Sequence, residues 1–332
     1  MQRKLKIIVL MVCFSTLFLT SCTKKNNTLI FADAGKVWWL APTTIAKEDS
    51  LFNKHGLDVQ TFDVTTGLAS KNAVLSGSAD IGMVASTPLA MGAYTNESIV
   101  ILCCYVESDK LLSVQSRKKE DGSILSKETA VQEQVAIVPS TISEFYLYRY
   151  LEKFNPTLFE KKQNNKLSEV HLRPPDVVNS MKANKKVNSA VIWEPFGKKM
   201  STEANIEEFR EGEIYNLSLY LITRPDVLKS KSNEIEQFVN AVKEASNLIE
   251  SSKKMEIDKV RMQIEDLYDY ETGWLLPLWF DVDFTVKDKE GDIENMQRFI
   301  LEDAEIAFQL GKKEKPLKKE DIAHLFNYMN NR

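Results

Sequence analysis

Small polar and aromatic residues stand at the ends of several predicted strands in this chain of 332 residues. Hydroxyl groups and free backbone N–H groups at a helix start hold anionic or polar atoms, and an indole ring stacks on a planar group. A carboxylate accepts hydrogen bonds from a cationic or N–H donor group. These types predict a site that binds a small molecule, and the candidate residues are Trp38, Trp39, Thr65, Thr66, Ser86, Thr87, Ser140, Thr141, Trp193 and Glu194.

The paired candidates each have a structural alternative. Trp38 and Trp39 are adjacent, and two consecutive indoles at a strand-to-helix loop cannot both face one core. One of them is therefore expected to line a cleft or a lobe interface, with ordinary packing as the alternative. Ser86 and Thr87 precede Pro88, so they can cap a helix, which is compatible with a ligand contact. Trp274 and Trp279 are expected in a core or between lobes.

Glu194 bears on the nature of the ligand. A carboxylate at a cleft edge repels an anion, which disfavours a simple nitrate-like ligand unless Glu194 is turned away or paired. It favours an aminopyrimidine or related heterocycle, or a zwitterion such as an amino-sulfonate. No candidate is Arg or Lys, which further disfavours a dianionic phosphate. A hinge salt bridge is the alternative role for Glu194.

Catalytic, metal and nucleic-acid sites have little support. The histidines His55, His171 and His324 are far apart, and no Ser/His/Asp, paired-carboxylate or Gly-rich phosphate pattern stands out. Cys103 and Cys104 lie in an apolar run, and adjacent cysteines in extended backbone do not easily form a disulfide, so two buried thiols are expected. The 43 Lys+Arg against 47 Asp+Glu give a net charge of -4 without a dominant basic run, which disfavours nucleic-acid binding. No metal or cofactor is expected.

The N-terminus is typical of an exported lipoprotein. Arg3, Lys4 and Lys6 precede an apolar stretch, residues 7–19, that is too short to span a bilayer of about 30 Å but suits a signal-peptide core. The stretch ends in Leu-Thr-Ser-Cys, which resembles the bacterial lipobox, so residues 1–21 are expected to be removed and Cys22 to be lipidated. Residues 22–28 would form a tether on the extracytoplasmic side of the cell membrane. An uncleaved signal anchor is the alternative.

Alternating strand and helix patterns predict an α/β fold with a mostly parallel sheet. The first strands are predicted at residues 28–34, 57–64, 81–85 and 99–106, and helical segments separate them. The pattern restarts after a polar stretch, with strands at residues 134–138, 170–173 and 188–193. Residues 213–223 read as a returning strand and residues 226–251 as a long amphipathic helix. The length itself fits two lobes.

Four segments resemble one protein family. Residues 41–59 resemble its P-x-x-x-A…F-x-x-x-G-L-D-V signature, and residues 75–82 its L-x-x-G-x-A-D-I-G segment. Residues 139–146 resemble its second-lobe anion loop and helix, and residues 190–196 its W-E-P-F strand end. These patterns are similar to those of periplasmic solute-binding proteins of ABC transporters for nitrate, sulfonates, taurine and thiamine-pyrimidine precursors.

The resemblance implies a two-lobed periplasmic-binding-protein fold of type II, hinged by two crossover strands. Residues 29–110 and 225–332 would form the first lobe, and residues 111–224 the second. It also implies a monomeric, lipid-anchored receptor that closes on a small ring-bearing or zwitterionic nutrient and delivers it to a permease with its ATPase subunit.

The sequence leaves two other functions open. The first is an enzyme like the pyrimidine-precursor synthases, which resemble this chain in fold but carry an active-site histidine and a cysteine-rich motif from which it departs. The second is a surface adhesin or sensor lipoprotein that has no permease.

Overall fold

The chain folds into two α/β lobes, each built on a five-stranded sheet. The structure is a computed structural model, and it describes residues 27–34, 37–119, 123–183, 187–203 and 205–331. The strands are β1 (Thr28–Asp33), β2 (Asp58–Asp63), β3 (Ile81–Ala85), β4 (Val100–Ser108), β5 (Leu112–Arg117), β6 (Gln134–Ile137), β7 (Ser168–His171), β8 (Ser189–Trp193), β9 (Ile206–Phe209) and β10 (Leu217–Thr223).

Helices cover the faces of both sheets. In the first part of the chain they are α1 (Ala41–Glu48), α2 (Leu51–Lys54), α3 (Gly67–Ser76), α4 (Ser86–Ala93), α5 (Lys127–Ala130), α6 (Ile142–Phe154), α7 (Pro156–Gln163), α8 (Pro174–Lys182) and α9 (Phe196–Ser201). In the second part they are α10 (Pro225–Ser230), α11 (Ser232–Lys254), α12 (Lys259–Leu267), α13 (Leu276–Trp279), α14 (Ile293–Gln309) and α15 (Lys319–Ile322). Short 3-10 turns add Trp38–Leu40, Glu290–Asp292, Ala323–Phe326 and Met329–Asn331.

The two sheets have the same plan. The first has the strand order β2-β1-β3-β10-β4 and the second β7-β6-β8-β5-β9. In each sheet four strands point in the same direction, and the fifth, β10 in the first sheet and β5 in the second, lies antiparallel to both of its neighbours. The chain passes between the lobes twice, through residues 109–111 and 210–216. This confirms the predicted two-lobed α/β fold.

One predicted boundary moves. The sequence placed residues 111–224 in the second lobe, whereas β10 pairs with β3 and β4 in the first sheet. Every residue of β10 is buried, so its continuous apolar pattern fits an inner strand of either sheet. Its partners lie more than 100 positions earlier in the chain, so local pattern could not assign it. The predicted returning strand also begins later, at Leu217, because residues 210–216 form the crossover.

Residues 75–82 form the end of α3 and the turn into β3, where the helix packs closely on the first sheet. Gly77 closes α3 in the left-handed region, at φ 81°. The Asp80 carboxylate accepts hydrogen bonds from the Ile30 backbone N–H and from Lys231, both at 2.9 Å. The Ser70 hydroxyl donates to the Ala32 carbonyl at 2.8 Å and accepts the Met83 N–H at 2.9 Å, so α3 lies directly on β1 and β3.

We predict that Gly82→Ala destabilises the first lobe by about 1–3 kcal/mol, because overpacking forces neighbours to move. A Cβ atom at position 82 would lie 2.7 Å from both the Ser70 Oγ and a Val74 methyl carbon. Urea unfolding measures the change, and Gly291→Ala is the matched control, since a Cβ atom there meets nothing within 4 Å. Equal stability of the two variants would contradict the prediction.

Candidate ligand-binding site

Trp39 joins the two lobes directly. The 3-10 turn Trp38–Leu40 follows β1 and leads into α1, which has Pro42 in its first turn. The Trp39 indole N–H donates to the main-chain carbonyl of Glu194, at 2.7 Å. Trp38 has no exposed surface and packs against Trp279, with 6.2 Å between ring centroids. Of the two adjacent indoles, the structure therefore brings Trp39 to the lobe interface.

The Glu194 carboxylate points into the hinge. It is fully buried, forms an ion pair with Arg210 and accepts the Lys198 backbone N–H at 3.1 Å. Arg210 also pairs with Glu208. Burial raises the pKa of Glu194, and Arg210 opposes this rise only in part. This geometry matches the alternative role, a hinge salt bridge. Because Glu194 is buried and paired with Arg210, the sequence argument that its carboxylate disfavours an anionic ligand no longer applies.

An aromatic ladder from the first lobe meets the second lobe beside Glu194. Tyr270 stacks on Trp274 at 4.2 Å and on Tyr268 at 6.0 Å between ring centroids. Lys198 of the second lobe lies 4.9 Å from the Trp274 ring centroid and donates to the Trp274 carbonyl at 2.8 Å. Thr44 fixes Tyr268 through a hydroxyl–hydroxyl bond of 2.9 Å. Sequence analysis missed both tyrosines, whose signal was the aromatic spacing in residues 268–274.

Ser86 and Thr87 form hydrogen bonds with a residue of helix α14. Their hydroxyls donate to the Asp303 carboxylate at 2.5 and 3.0 Å, and the Tyr215 hydroxyl donates to the same oxygen at 3.2 Å. All four side chains are buried. The two predicted residues are therefore brought together, but with a carboxylate that the sequence did not single out.

The other predicted residues serve local structure in this conformation. Thr66 caps α3 by accepting the Ala69 N–H, and Thr65 is exposed. Thr141 caps α6, and the Ser140 backbone N–H donates to Glu144 at 3.0 Å. Trp193 is buried with its ring edge-on to Phe196. Their contact with a ligand stays a prediction.

Glu144 lies in the first turn of α6, within the predicted anion loop and helix at residues 139–146. Burial alone would raise its pKa, but Lys162, Lys312 and the Ser140 N–H together lower it. Lys312 follows α14, and its ammonium lies 3.0 Å from the Glu144 carboxylate, so this ion pair also links the lobes. A second link from the same segment is the bond of 2.5 Å between the Tyr148 hydroxyl and Gln309.

The Trp38 indole N–H and the Tyr105 hydroxyl, which belong to one core cluster, are buried donors with no hydrogen-bond partner among the described residues. Both side chains have no exposed surface. Burial raises the pKa of Tyr105, and the nearby Asp33 carboxylate at the end of β1 raises it further. Asp33 acts in the same direction on Tyr268, whose pKa is about 12 mainly because of burial. A buried donor without a partner is costly, so these groups are candidates for ligand contact.

A cavity of about 860 Å³ lies beside the two crossovers. Its walls include Asp109, Tyr215, Asp281 and Phe299, and none of the predicted binding residues lines it. Cys103 and Cys104 are both buried thiols, as predicted. Within the described ranges, no group of three or more His, Cys, Asp or Glu side chains is placed to hold a metal ion.

The N-terminal predictions lie outside the described residues. These are the signal peptide at residues 1–21, the lipidated Cys22 and most of the tether. In the part of the chain that the structure describes, no helix is both long and apolar enough to cross a membrane.

A family model described as the NMT1-like family matches residues 36–262, more than half of the chain. The chain belongs to the NMT1-like family. The match ends before the aromatic ladder at residues 268–274, so the rings that meet the second lobe lie outside the region the family model describes. The resemblance seen in the sequence is thereby confirmed.

Solved structures share the fold of this NMT1-like chain. The alkanesulfonate-binding protein SsuA from Xanthomonas axonopodis pv. citri, bound to MOPS, superposes with a TM-score of 0.67 at 13% identity, covering 86% of this chain and 93% of SsuA. The periplasmic nitrate-binding protein NrtA from Synechocystis PCC 6803 gives a TM-score of 0.63 at 15% identity, covering 91% and 85%. At these identities the likeness establishes the fold.

A protein of Brucella abortus strain 2308, whose name describes it as a binding protein, is 28% identical over 158 residues. The match covers 48% of this chain and 45% of that protein, so the chain spans less than half the length of this relative.

We predict that Arg210→Ala destabilises the protein by about 3–5 kcal/mol at neutral pH, since it leaves the Glu194 charge buried without its partner. The loss should shrink as pH falls, because protonation of Glu194 removes that charge. Denaturant unfolding at two pH values measures both effects. Arg173→Ala, which removes an 84% exposed arginine paired with Asp176, is the control and should be nearly neutral. A loss independent of pH would contradict the assignment.

Proposed function

We propose that this chain is the extracytoplasmic solute-binding component of an ABC importer. The observation that supports it best is the pair of α/β lobes joined by two crossovers, with direct contacts between strand ends of opposite lobes at Trp39 and Glu194. Such an arrangement closes on a ligand that touches both lobes, because that ligand has a higher affinity for the closed state. The permease and its ATPase subunit would be the partners of the closed form, and lipidation of Cys22 would hold the protein at the membrane.

The ligand we propose is a small ring-bearing or zwitterionic nutrient, either a thiamine-pyrimidine precursor or related heterocycle, or an amino-sulfonate such as taurine. The sequence argument for this ligand class used Glu194, whereas the present support comes from Trp38, Tyr105 and Asp33. The Trp38 and Tyr105 donors would bind an acceptor, such as a ring nitrogen or a sulfonate oxygen. The Asp33 carboxylate nearby suits an amino or cationic group on the same ligand. Two donors and a carboxylate would together fit a molecule with both kinds of group.

A ligand screen tests the function. We predict that one class among aminopyrimidines, related heterocycles, taurine and MOPS raises the melting temperature of ligand-free protein, with nitrate included as a simple anion. A ligand at 100 times its Kd adds about 2.7 kcal/mol to the free energy of unfolding. Calorimetry then gives the Kd and the stoichiometry. Binding of nitrate alone would overturn the ligand class, and turnover of a bound ligand would overturn the binding function.

Tyr105→Phe tests the proposed donor. We predict that it weakens binding of the ligand found in the screen about tenfold or more, through loss of a buried hydrogen bond. The melting temperature of the empty protein should stay equal or rise, since the variant removes a buried hydroxyl without a partner.

Tyr220→Phe is the matched control for this test. It removes another buried hydroxyl, in the cluster on the opposite face of the same sheet, and should leave the affinity unchanged. Equal affinities of wild type and Tyr105→Phe would remove Tyr105 from the site without affecting the importer function.

A further inference from the structure

The Asp303 carboxylate joins three parts of the first lobe and hinge. It lies on α14, and one of its oxygens accepts hydrogen bonds from Ser86 and Thr87 at the start of α4 and from Tyr215. The Thr87 and Tyr215 hydroxyls also lie 3.0 Å apart, which closes a small ring of polar groups. Asp303 is 2% exposed, so this polar ring is shielded from water.

Tyr215 belongs to the second crossover. Residues 210–216 connect β9 in the second sheet to β10 in the first, so they must change conformation when the lobes move relative to each other. The bonds to Asp303 and Thr87 hold this crossover against the first lobe, two residues before β10 begins. A change in these bonds therefore acts on the hinge.

Among the residues that the structure describes, no cation forms an ion pair with this carboxylate. The charged and titratable groups that act on it are Glu302 on its own helix, Tyr215 on the crossover and Tyr220 on β10. From α4 the contacts are the neutral hydroxyls of Ser86 and Thr87. Burial raises the pKa of Asp303 to about 7, although the three hydroxyls lower it. The carboxyl group thus changes its charge close to neutral pH, inside the hinge.

We propose that Asp303 is a pH-sensitive positioning residue of the hinge, which holds the second crossover to the first lobe when neutral and loosens it when ionised. Proton linkage gives the direction of this pH dependence. A carboxyl whose pKa is raised in the anchored state favours that state at low pH, and the preference is lost as pH rises through 7. Above that pH, ionisation favours any state in which Asp303 reaches water, and such a state requires the crossover to move away.

The same residue positions two predicted ligand contacts. Ser86 and Thr87 both donate to Asp303, so loosening of this ring would also release the hydroxyls at the end of β3. In a binding protein of the proposed kind, affinity would then depend on pH through the population of the closed state. Hydrogen exchange of the hinge can be measured without a ligand, so this proposal can fail while the proposed function stands.

Hydrogen exchange of the intact protein at pH 6 and pH 8, corrected for intrinsic rates, tests the proposal. Protection of the amides in residues 210–216 should fall about tenfold from pH 6 to pH 8, the value for a carboxyl with a pKa of about 7 when anchored and about 4 when hydrated. Protection of β8, which lies in the second lobe away from Asp303, should change little. A parallel loss in both regions would mean that only global stability responds, and would overturn the proposal.

Variants assign the effect to this carboxyl group. Asp303→Asn should show equal protection of residues 210–216 at both pH values, whereas Glu302→Gln, the control on the same helix, should keep the wild-type difference. Tyr215→Phe keeps Asp303 and removes its bond to the crossover, so it should lower protection at pH 6 and reduce the pH dependence. If Asp303→Asn fails to fold, Tyr215→Phe decides the question. If protection in Asp303→Asn or in Tyr215→Phe differs between the two pH values as much as it does in wild type, the proposal is overturned.

Discussion

The buried ion pair between Glu194 and Arg210 fixes the place where the second lobe meets the first. Glu194 directly follows β8, and Arg210 begins the second crossover, so the pair joins a strand end to the hinge. A charge pair taken out of water is tolerated only when its partners are well placed, which leaves this backbone little freedom. The Glu194 carbonyl is thereby held where Trp39 binds it, and Lys198, four residues later, reaches Trp274.

Hydroxyl groups at strand ends can bind a ligand or form hydrogen bonds within the chain, and most of the predicted ones do the latter. The first N–H groups of a helix need acceptors, which Thr66 and Thr141 provide. Ser86 and Thr87 instead satisfy a buried carboxylate. The polar groups that stand out are the opposite kind, the Trp38 and Tyr105 donors that are buried without a partner among the described residues.

The local pattern of apolar and polar residues predicted most strands of the two sheets. The strand at residues 81–85 has the predicted bounds, and Gly77, Asp80 and Gly82 have the roles that close helix-on-sheet packing requires. The sequence pattern did not predict β5, in which Ser113, Gln115 and Ser116 interrupt the apolar residues. The strand is flanked by β8 and β9, so these polar residues are buried and bonded. Burial of a polar strand depends on neighbours that are remote in the chain.

The sequence by itself determined the two-lobed α/β fold and the family, because alternating hydrophobic periods and short motifs are local properties of the chain. It also identified Trp38, Trp39 and Glu194 as candidate binding residues. Only the tertiary structure decided their orientation: Trp39 faces the second lobe, while Glu194 turns into the hinge towards Arg210. It also brought in Tyr105, Asp303 and the aromatic ladder, whose partners lie far away in sequence. Orientation and distant pairing follow from how the lobes pack, and no local pattern encodes them.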